Sequence, residues 1–206
     1  VAGQYLPLNL DIQGIEGAVT RTYSLSGPPS KDKYRISVKR DSQGLVSRLL
    51  HDQVEVGAIL SAGAATGDLL LPQDDAPIVL ISAGVGITPM MSMLHALSNL
   101  RDERPVWFIH GARNGAYHAF SNEVRSLVSK RPGIQAHTAY SAPSDCDKLG
   151  LDYDSEGRVS GELISSIVSA PGAHYFLCGP TQFMAQVQEH LEKNGVLADQ
   201  IFTESF

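Results

Sequence analysis

Ile78-Val79-Leu80-Ile81-Ser82-Ala83-Gly84-Val85-Gly86-Ile87-Thr88-Pro89 reads as an apolar strand joined to a helix through a glycine turn. An apolar run of strand formers, Ile78 to Ser82, ends in a turn punctuated by two glycines, and an apolar-periodic helix is expected from Met90 to Leu100. Thr88 is placed to cap that helix, with Pro89 at its first position, where a missing N–H costs nothing. Glycines at such a turn let the backbone approach a pyrophosphate, and the helix N-terminus offers unpaired N–H groups and a positive dipole end. The last position of the usual dinucleotide fingerprint is proline here, not glycine. A tight strand–helix connection of any α/β protein is the plainer reading, and the turn alone does not separate the two.

Downstream, the same alternation repeats. Strands are expected at Val106 to His110, Ile134 to Tyr140, His174 to Cys178 and Ile201 to Thr203, with helices at Ser121 to Lys130, Ser160 to Val168 and Thr181 to Asn194. Apolar strands alternating with helices predict a parallel sheet covered on both faces. Upstream, the period changes. Tyr5 to Leu10, Val19 to Leu25 and Tyr34 to Lys39 read as short strands, parted by turns at Gln13-Gly14, Gly27-Pro28-Pro29 and Gln43-Gly44, with one short helix near Val46 to His51. Pro72-Gln73-Asp74-Asp75-Ala76-Pro77 is the linker candidate. The expected fold class is therefore β followed by α/β: an antiparallel β-barrel in residues 1–72, then a parallel α/β nucleotide-binding domain in residues 77–206.

The totals narrow the function. Of 206 residues, 43% are hydrophobic and 18% charged, enough for one large core or two small ones. A net charge of −6 gives no global attraction to nucleic acid or an anionic membrane, though local basic clusters can still hold phosphate. Cys146 and Cys178 are the two cysteines, which makes a disulfide framework implausible and leaves reduced thiols in a cytoplasmic setting as the expectation. Two thiolates cannot supply a four-cysteine iron–sulfur site. No apolar run is long enough for a membrane span, and no signal peptide or internal repeat is visible. Val1 is not an initiator methionine, and the chain is expected to be a fragment with an incomplete N-terminal barrel.

Two further segments can carry chemistry. In Arg21-Thr22-Tyr23-Ser24-Leu25, the strand period puts Arg21, Tyr23 and Leu25 on one face. An arginine fork can grip a diphosphate, a tyrosine ring can lie against a flat cofactor, and Ser24 can donate to a ring heteroatom. Ordinary strand decoration, with Tyr23 in the core and Arg21 solvated, is the competing reading. Lys39-Arg40-Asp41-Ser42-Gln43-Gly44-Leu45-Val46-Ser47 leads through Gly44 into a short helix, which is either a second phosphate cradle or a charged hairpin with a helix cap.

Taken together, Arg21-x-Tyr23-Ser24, Gly44-x-x-Ser47, Gly84-x-Gly86-x-Thr88-Pro89 and Cys178-Gly179-Pro180 resemble the ferredoxin–NADP reductase family, in that family's order and across nearly the whole chain. Within it, Gly3-Gln4-Tyr5-Leu6, Leu80 to Gly86, His110-Gly111-Ala112-Arg113-Asn114, Tyr153-Asp154-Ser155-Glu156-Gly157 and the ending Thr203-Glu204-Ser205-Phe206 are similar to the reductase segments of flavohemoglobins. The resemblance implies FAD on the barrel and NADH or NADPH on the α/β part. Arg21 is then expected on the FAD diphosphate, Thr22 and Tyr23 along the flavin, Ser24 near N5, and Tyr5 on the adenine or ribose side, with Lys39, Gly44, Val46 and Ser47 completing the grip. Gly84, Val85, Gly86, Ile87, Thr88 and Pro89 are expected to hold the nucleotide pyrophosphate. Cys178, Gly179 and Pro180 are expected where nicotinamide meets flavin, and Glu204, Ser205 and Phe206 as a tail over the flavin face. His110 can approach the nucleotide or serve as a structural histidine.

The implied reaction is hydride transfer from C4 of NAD(P)H to N5 of FAD, then one-electron steps to the haem of a globin lying outside this chain, as in a nitric oxide dioxygenase. The cofactors carry that chemistry, so no general base is required. Ser24, Cys178 and Glu204 are the candidate catalytic residues, and no metal site is expected. Arg113 can pair with a 2′-phosphate, stack on adenine or face solvent; NADH with NADPH tolerated is the expected preference. A reductase component feeding an iron–sulfur centre of a multicomponent oxygenase, a flavin-binding sensor without turnover, and a fragment unable to hold FAD are the alternatives.

Overall fold

A computed structural model describes residues 1–12, 14–99 and 104–205. The N-terminal part is built on β1 (Tyr5–Asp11), paired antiparallel with β2 (Ala18–Ser24) and, on its other side, with the short β3 (Ser61–Ala62). Leu6, Leu8 and Leu10 alternate along β1 and turn inward with Leu25 and Val46 to form a small core. Val46 belongs to α1 (Leu45–Asp52), the expected short helix. Tyr34 to Lys39 does not become a strand. Only the Leu25–Ile36 bridge and the neighbouring Ser26 N to Arg35 O bond (2.8 Å) tie it to the strand before it, because that strand runs straight into Gly27-Pro28-Pro29, and proline cannot donate to a ladder. The described residues thus form a three-stranded antiparallel sheet, the β part of the expected β then α/β fold.

The rest is a six-stranded parallel sheet. Its strands are β4 (Ile78–Ala83), β5 (Val106–Ala112), β6 (Ile134–Tyr140), β7 (Ser155–Glu156), β8 (His174–Cys178) and β9 (Ile201–Glu204), in the order β7-β6-β5-β4-β8-β9. Four helices cover it: α2 (Ile87–Asn99), α3 (Ser121–Lys130), α4 (Gly161–Ile167) and α5 (Thr181–Lys193). Ile78 and Leu80 face a cluster built with Met90, Leu94 and Leu127, whereas Val79 and Ile81 face one built with Ile164, Met184 and Val187. This two-sided burial explains why the central strands read as unbroken apolar runs rather than as an alternation.

Every parallel strand expected from the sequence forms to within two residues, as do α3, α4 and α5. The short β3 and β7 carry too little pattern to be read. α2 begins at Ile87 rather than Met90, because a 3-10 turn over Gly84–Gly86 runs directly into it. Thr88 is therefore inside the helix, donating its hydroxyl to Val85 O (3.1 Å) instead of capping, and Pro89 still falls in the first turn, where no N–H partner is missing. Leu100, the expected end of that helix, Gln13 of the expected first turn and Phe206 lie outside the described residues.

The two parts share core contacts. Ala2 and Leu69 from the N-terminal part are buried among Met93 and Leu94 of α2. Gly3 makes this possible, since at φ +88° a Cβ would stand 1.8 Å from Leu69 O and 2.7 Å from Met93 Cε. The chain leaves β4 through β5, β6 and β7 on one flank and returns to β8 on the other. The crevice at the carboxyl ends of β4 and β8 is thus a topological switch point, where open α/β sheets bind ligands.

Candidate functional site

A cleft of about 920 Å³ opens at that end of the sheet. Ala83, Gly84, Val85, Ile87 and Thr88 form its floor, and Arg113, Arg158 and Lys39 bring cations to its walls. Ser37 to Lys39 line it from the N-terminal part, and His118 to Phe120 line it from the segment leading into α3. No carboxylate is among the lining residues.

The two glycines of the turn have different reasons to be there. Gly84 adopts φ +57°, a left-handed conformation, and a Cβ added to it would meet nothing within 4 Å. Backbone conformation requires it, and it leaves the floor of the cleft low. Gly86 is buried, and a Cβ there would stand 2.1 Å from Cys178 O and 2.7 Å from Gly179 N. That position therefore serves the close packing of the turn onto the end of β8, not access for a ligand. Of the motif after β8, Pro180 lines the cleft, whereas Cys178 is fully buried.

A second set of expected residues lies along a chain of neighbours. Ser24 pairs with Tyr5 in the β1–β2 register, and Tyr5 bonds reciprocally with the backbone of Thr66 (2.8 and 3.0 Å). Two residues on, Asp68 acts electrostatically on Glu204, which stands opposite Cys178 in the β8–β9 register. Ser24 Oγ and Glu204 Oε2 are both buried without a hydrogen-bond partner, a costly state unless something else supplies one. Burial first, then the charge of Asp68, pushes the Glu204 carboxyl up to about 7. Burial and then Glu204 push the Cys178 thiol up to about 12, so Cys178 stays protonated at neutral pH and is no nucleophile.

Other expected residues stand apart. Arg21 is exposed, and among the described residues its guanidinium bonds to the neighbouring Thr20 carbonyl alone (2.8 Å), which leaves it open to an anion. Tyr23 is half-buried against the small core, on the face it shares with Leu25, while Thr22 is exposed. Val46 is a core residue of that cluster. Ser47 Oγ accepts from Asp41 N (3.2 Å) and donates to Gly44 O (3.4 Å), closing its own turn, and a Cβ on Gly44 would meet that hydroxyl at 2.3 Å. His110 does not reach the cleft. It is buried, its Nδ1 lies 2.9 Å from Ser82 Oγ, and desolvation, then His118, push its pKa down to about 3. It is a neutral structural histidine, and His118, whose ring lies 5.4 Å away, takes the place on the wall.

Sequence reading missed Ser37, Tyr117, His118, Phe120 and Arg158. Arg158 is brought to the cleft because the next residue, Val159, packs on Gly111, whose missing Cβ would lie 3.2 Å from Val159 Cγ2. A glycine near the end of β5 was the available signal. Tyr117 lies under the Arg113 guanidinium, 5.8 Å from ring centroid to Cζ. Among the described residues no cluster of side chains is suited to a metal ion.

Comparison with known proteins bears on this geometry. The model of the oxidoreductase NAD-binding domain matches residues 80–189. A flavohemoprotein of Deinococcus radiodurans is 43% identical over 204 residues, covering 99% of this chain and 51% of that protein. One from Bacillus cereus is 39% identical over 212 residues, covering 100% and 53%. The chain thus spans about half the length of the curated relatives it matches. Among solved structures, the flavohem-like FAD/NAD-binding domain of nitric oxide dioxygenase from Vibrio cholerae superposes with a TM-score of 0.87 at 32% identity, covering 100% of this chain and 84% of that one. Flavohemoglobin from Malassezia yamatoensis, solved with bound FAD and heme, gives a TM-score of 0.83 at 28% identity, covering 100% of this chain and 51% of that one. The glycine turn at the switch point, the parallel sheet and these matches agree: the chain belongs to the ferredoxin–NADP reductase-like family of oxidoreductase NAD-binding domains.

Proposed function

We propose that this chain is an NAD(P)H-dependent flavin oxidoreductase module that passes electrons through FAD to the haem of a globin, as part of a flavohemoglobin-type nitric oxide dioxygenase. Its two working parts are residues 1–72, for FAD, and residues 77–206, for NAD(P)H. The observation that carries the reading is the Gly84–Thr88 turn, which lies on the floor of the 920 Å³ cleft at the switch point of the sheet. The donor set fits FAD as well: Ser24 Oγ is a buried hydroxyl lacking a partner, as a donor to a flavin heteroatom would be before the ring is bound.

The side chains orient rather than react. Arg21 would hold the FAD diphosphate, the Tyr23 ring would pack along the flavin, and Ser24 would offer its unpartnered hydroxyl to the ring. Thr88 keeps the turn closed through Val85 O, leaving the first N–H groups of α2 facing a pyrophosphate. Glu204, held near neutrality by burial, bounds the flavin side of the junction and can hold a proton there at pH 7. When bound, FAD supplies the conversion of a two-electron donor into one-electron steps. Arg113 and Arg158 attract the nucleotide phosphates, and with no carboxylate on the lining a 2′-phosphate meets no fixed repulsion, so NADPH is tolerated beside the preferred NADH. No helix among the described residues is long and apolar enough to cross a membrane, and two unpaired cysteines support a reducing, cytoplasmic setting.

Anaerobic stopped-flow mixing of the FAD-reconstituted chain with NADH, and separately NADPH, tests this. Rapid bleaching of the flavin absorbance is expected with NADH and slower bleaching with NADPH. A chain that holds FAD yet bleaches with neither nucleotide is a flavin-binding sensor, and the proposal fails.

A further inference from the structure

Three segments that each lead to the cleft meet at one carboxylate, which lies outside the lining and away from the expected site residues. Arg35 Nη1 donates to Glu123 Oε2 (3.2 Å) and Arg35 Nη2 to Glu123 Oε1 (2.9 Å), a bidentate pair. The same Nη2 donates to Ser26 O, and the guanidinium lies over the Phe120 ring, 5.5 Å from its centroid. From α2, His95 Nε2 lies 2.5 Å from Glu123 Oε1. Burial would raise the Glu123 carboxyl, but the bonds from Arg35 and His95 more than offset it and hold it below the usual range.

The sequence positions give this cluster its meaning. Arg35 is two residues before Ser37, where the N-terminal wall of the cleft begins. Glu123 is three residues after Phe120, which also lines the cleft, and His95 sits on the helix whose first residues, Ile87 and Thr88, line it too. Phe120 is also the one non-glycine among the described residues with a positive φ, +63°, and it stands where α3 begins. A phenylalanine persists in that region only where its surroundings hold it. Here Arg35 covers its ring and Glu123 anchors the first turn behind it.

We propose that Arg35, Glu123 and His95 form a latch that fixes the width of the cleft, and so positions a nicotinamide bound on the parallel part against a flavin bound on the N-terminal part. The inference rests on the function proposed above. Its consequence is asymmetric. The nucleotide is gripped by the 84–88 turn, Arg113 and Arg158, all on the parallel part, so affinity does not depend on the latch. The transfer distance does, and a displacement of about 1 Å can cost about a hundredfold in rate.

The test compares the FAD-reconstituted chain with its Arg35→Ala, Glu123→Gln and Arg35→Lys variants under anaerobic stopped flow. Arg35→Ala is expected to lower the limiting rate of flavin bleaching about tenfold or more, with little change in the half-saturating NADH concentration. Arg35→Lys, which keeps the charge but not the fork, is expected to restore part of the rate. Energy transfer between dyes on the exposed Cys146 and at the exposed position 56 in a Val56→Cys variant reads the geometry without any cofactor, and adding Arg35→Ala is expected to broaden that distance. Wild-type rates in the variants overturn the latch. So does a rate loss that follows loss of FAD while the dye distance is unchanged, because the cluster would then be merely structural. If the wild-type chain itself does not bleach, the proposed function fails, and the dye distance alone still decides the latch.

Discussion

The two parts of the molecule solve burial differently. In the parallel part, Ile78, Val79, Leu80 and Ile81 are all 0% exposed, sealed in turn under the helices of one face and of the other. In the N-terminal part a three-stranded sheet shields one small cluster, while Val56 and Ile59 stand fully in solvent, at 109% and 98%. The parallel part is thus a scaffold whose rigidity is set by packing. The N-terminal part leans on it through Ala2, Leu69 and the Arg35–Glu123 pair. A site shared between a stiff partner and a softer one needs a device that fixes their relation, which is why the contacts across the cleft carry functional weight out of proportion to their number.

The largest effect expected from this contrast is on the cores themselves. Leu80→Ala removes a fully buried side chain from the cluster under α2, in a place that cannot collapse, and is expected to cost about 4 kcal/mol. Leu8→Ala, on the one-sided sheet, can relax toward its solvent face and is expected to cost about 2 kcal/mol. Urea melts of the two variants check this, and equal costs would mean that the N-terminal cluster is as confined as the parallel core.

The glycine pair sharpens the comparison within the turn. Gly86→Ala forces a methyl against the backbone of Cys178, which has no flexible end to give way, and is expected to cost about 3 kcal/mol in stability. Gly84→Ala meets no neighbour and carries only the left-handed backbone penalty, about 1–2 kcal/mol. Its methyl enters the cleft floor, so loss of nucleotide affinity should exceed loss of stability. Melting curves beside nucleotide titrations of both variants separate a packing glycine from a conformational one.

The same contrast governs what could be read from the sequence. The parallel strands were legible because two-sided burial demands consecutive apolar residues, and Ile78-Val79-Leu80-Ile81 can hardly do anything else. Tyr34 to Lys39 alternates like a strand yet forms one bridge, since its partner ends in Gly27-Pro28-Pro29, and the segment's own pattern does not reveal where a partner ends. The turn at Gly84 was legible from glycine and proline alone, but the cap at Thr88 was not, because the preceding 3-10 turn shifts the helix start. Ser24 and Glu204 were found through resemblance, and their buried unpartnered atoms emerge only in three dimensions. Arg35 and Glu123 are separated by 88 residues and carry no local signal at all.

A smaller effect is expected from pH. Glu204, with an ordinary value of 4.5 raised to about 7, keeps a proton in the folded chain that the unfolded chain releases between those values. Stability therefore falls as pH rises through about 4.5 to 7 and levels off above, by about 1 kcal/mol once its partial exposure to solvent is allowed for. Glu204→Gln should flatten that slope. Melting temperatures of both chains across this range measure it, and an unchanged slope would assign the titration to other groups.

The smallest effect completes the contrast. Val56→Ser and Ile59→Ser change two apolar side chains that nothing in the fold covers, so each should shift stability by less than about 0.5 kcal/mol. The opposite result would be the more informative one. A loss above about 1 kcal/mol requires that these side chains be covered in solution, because an exposed side chain has no burial to lose. Repeating the melts at several protein concentrations then separates the two possible covers: a second copy of the chain makes the loss depend on concentration, and a rearranged loop of the same chain does not.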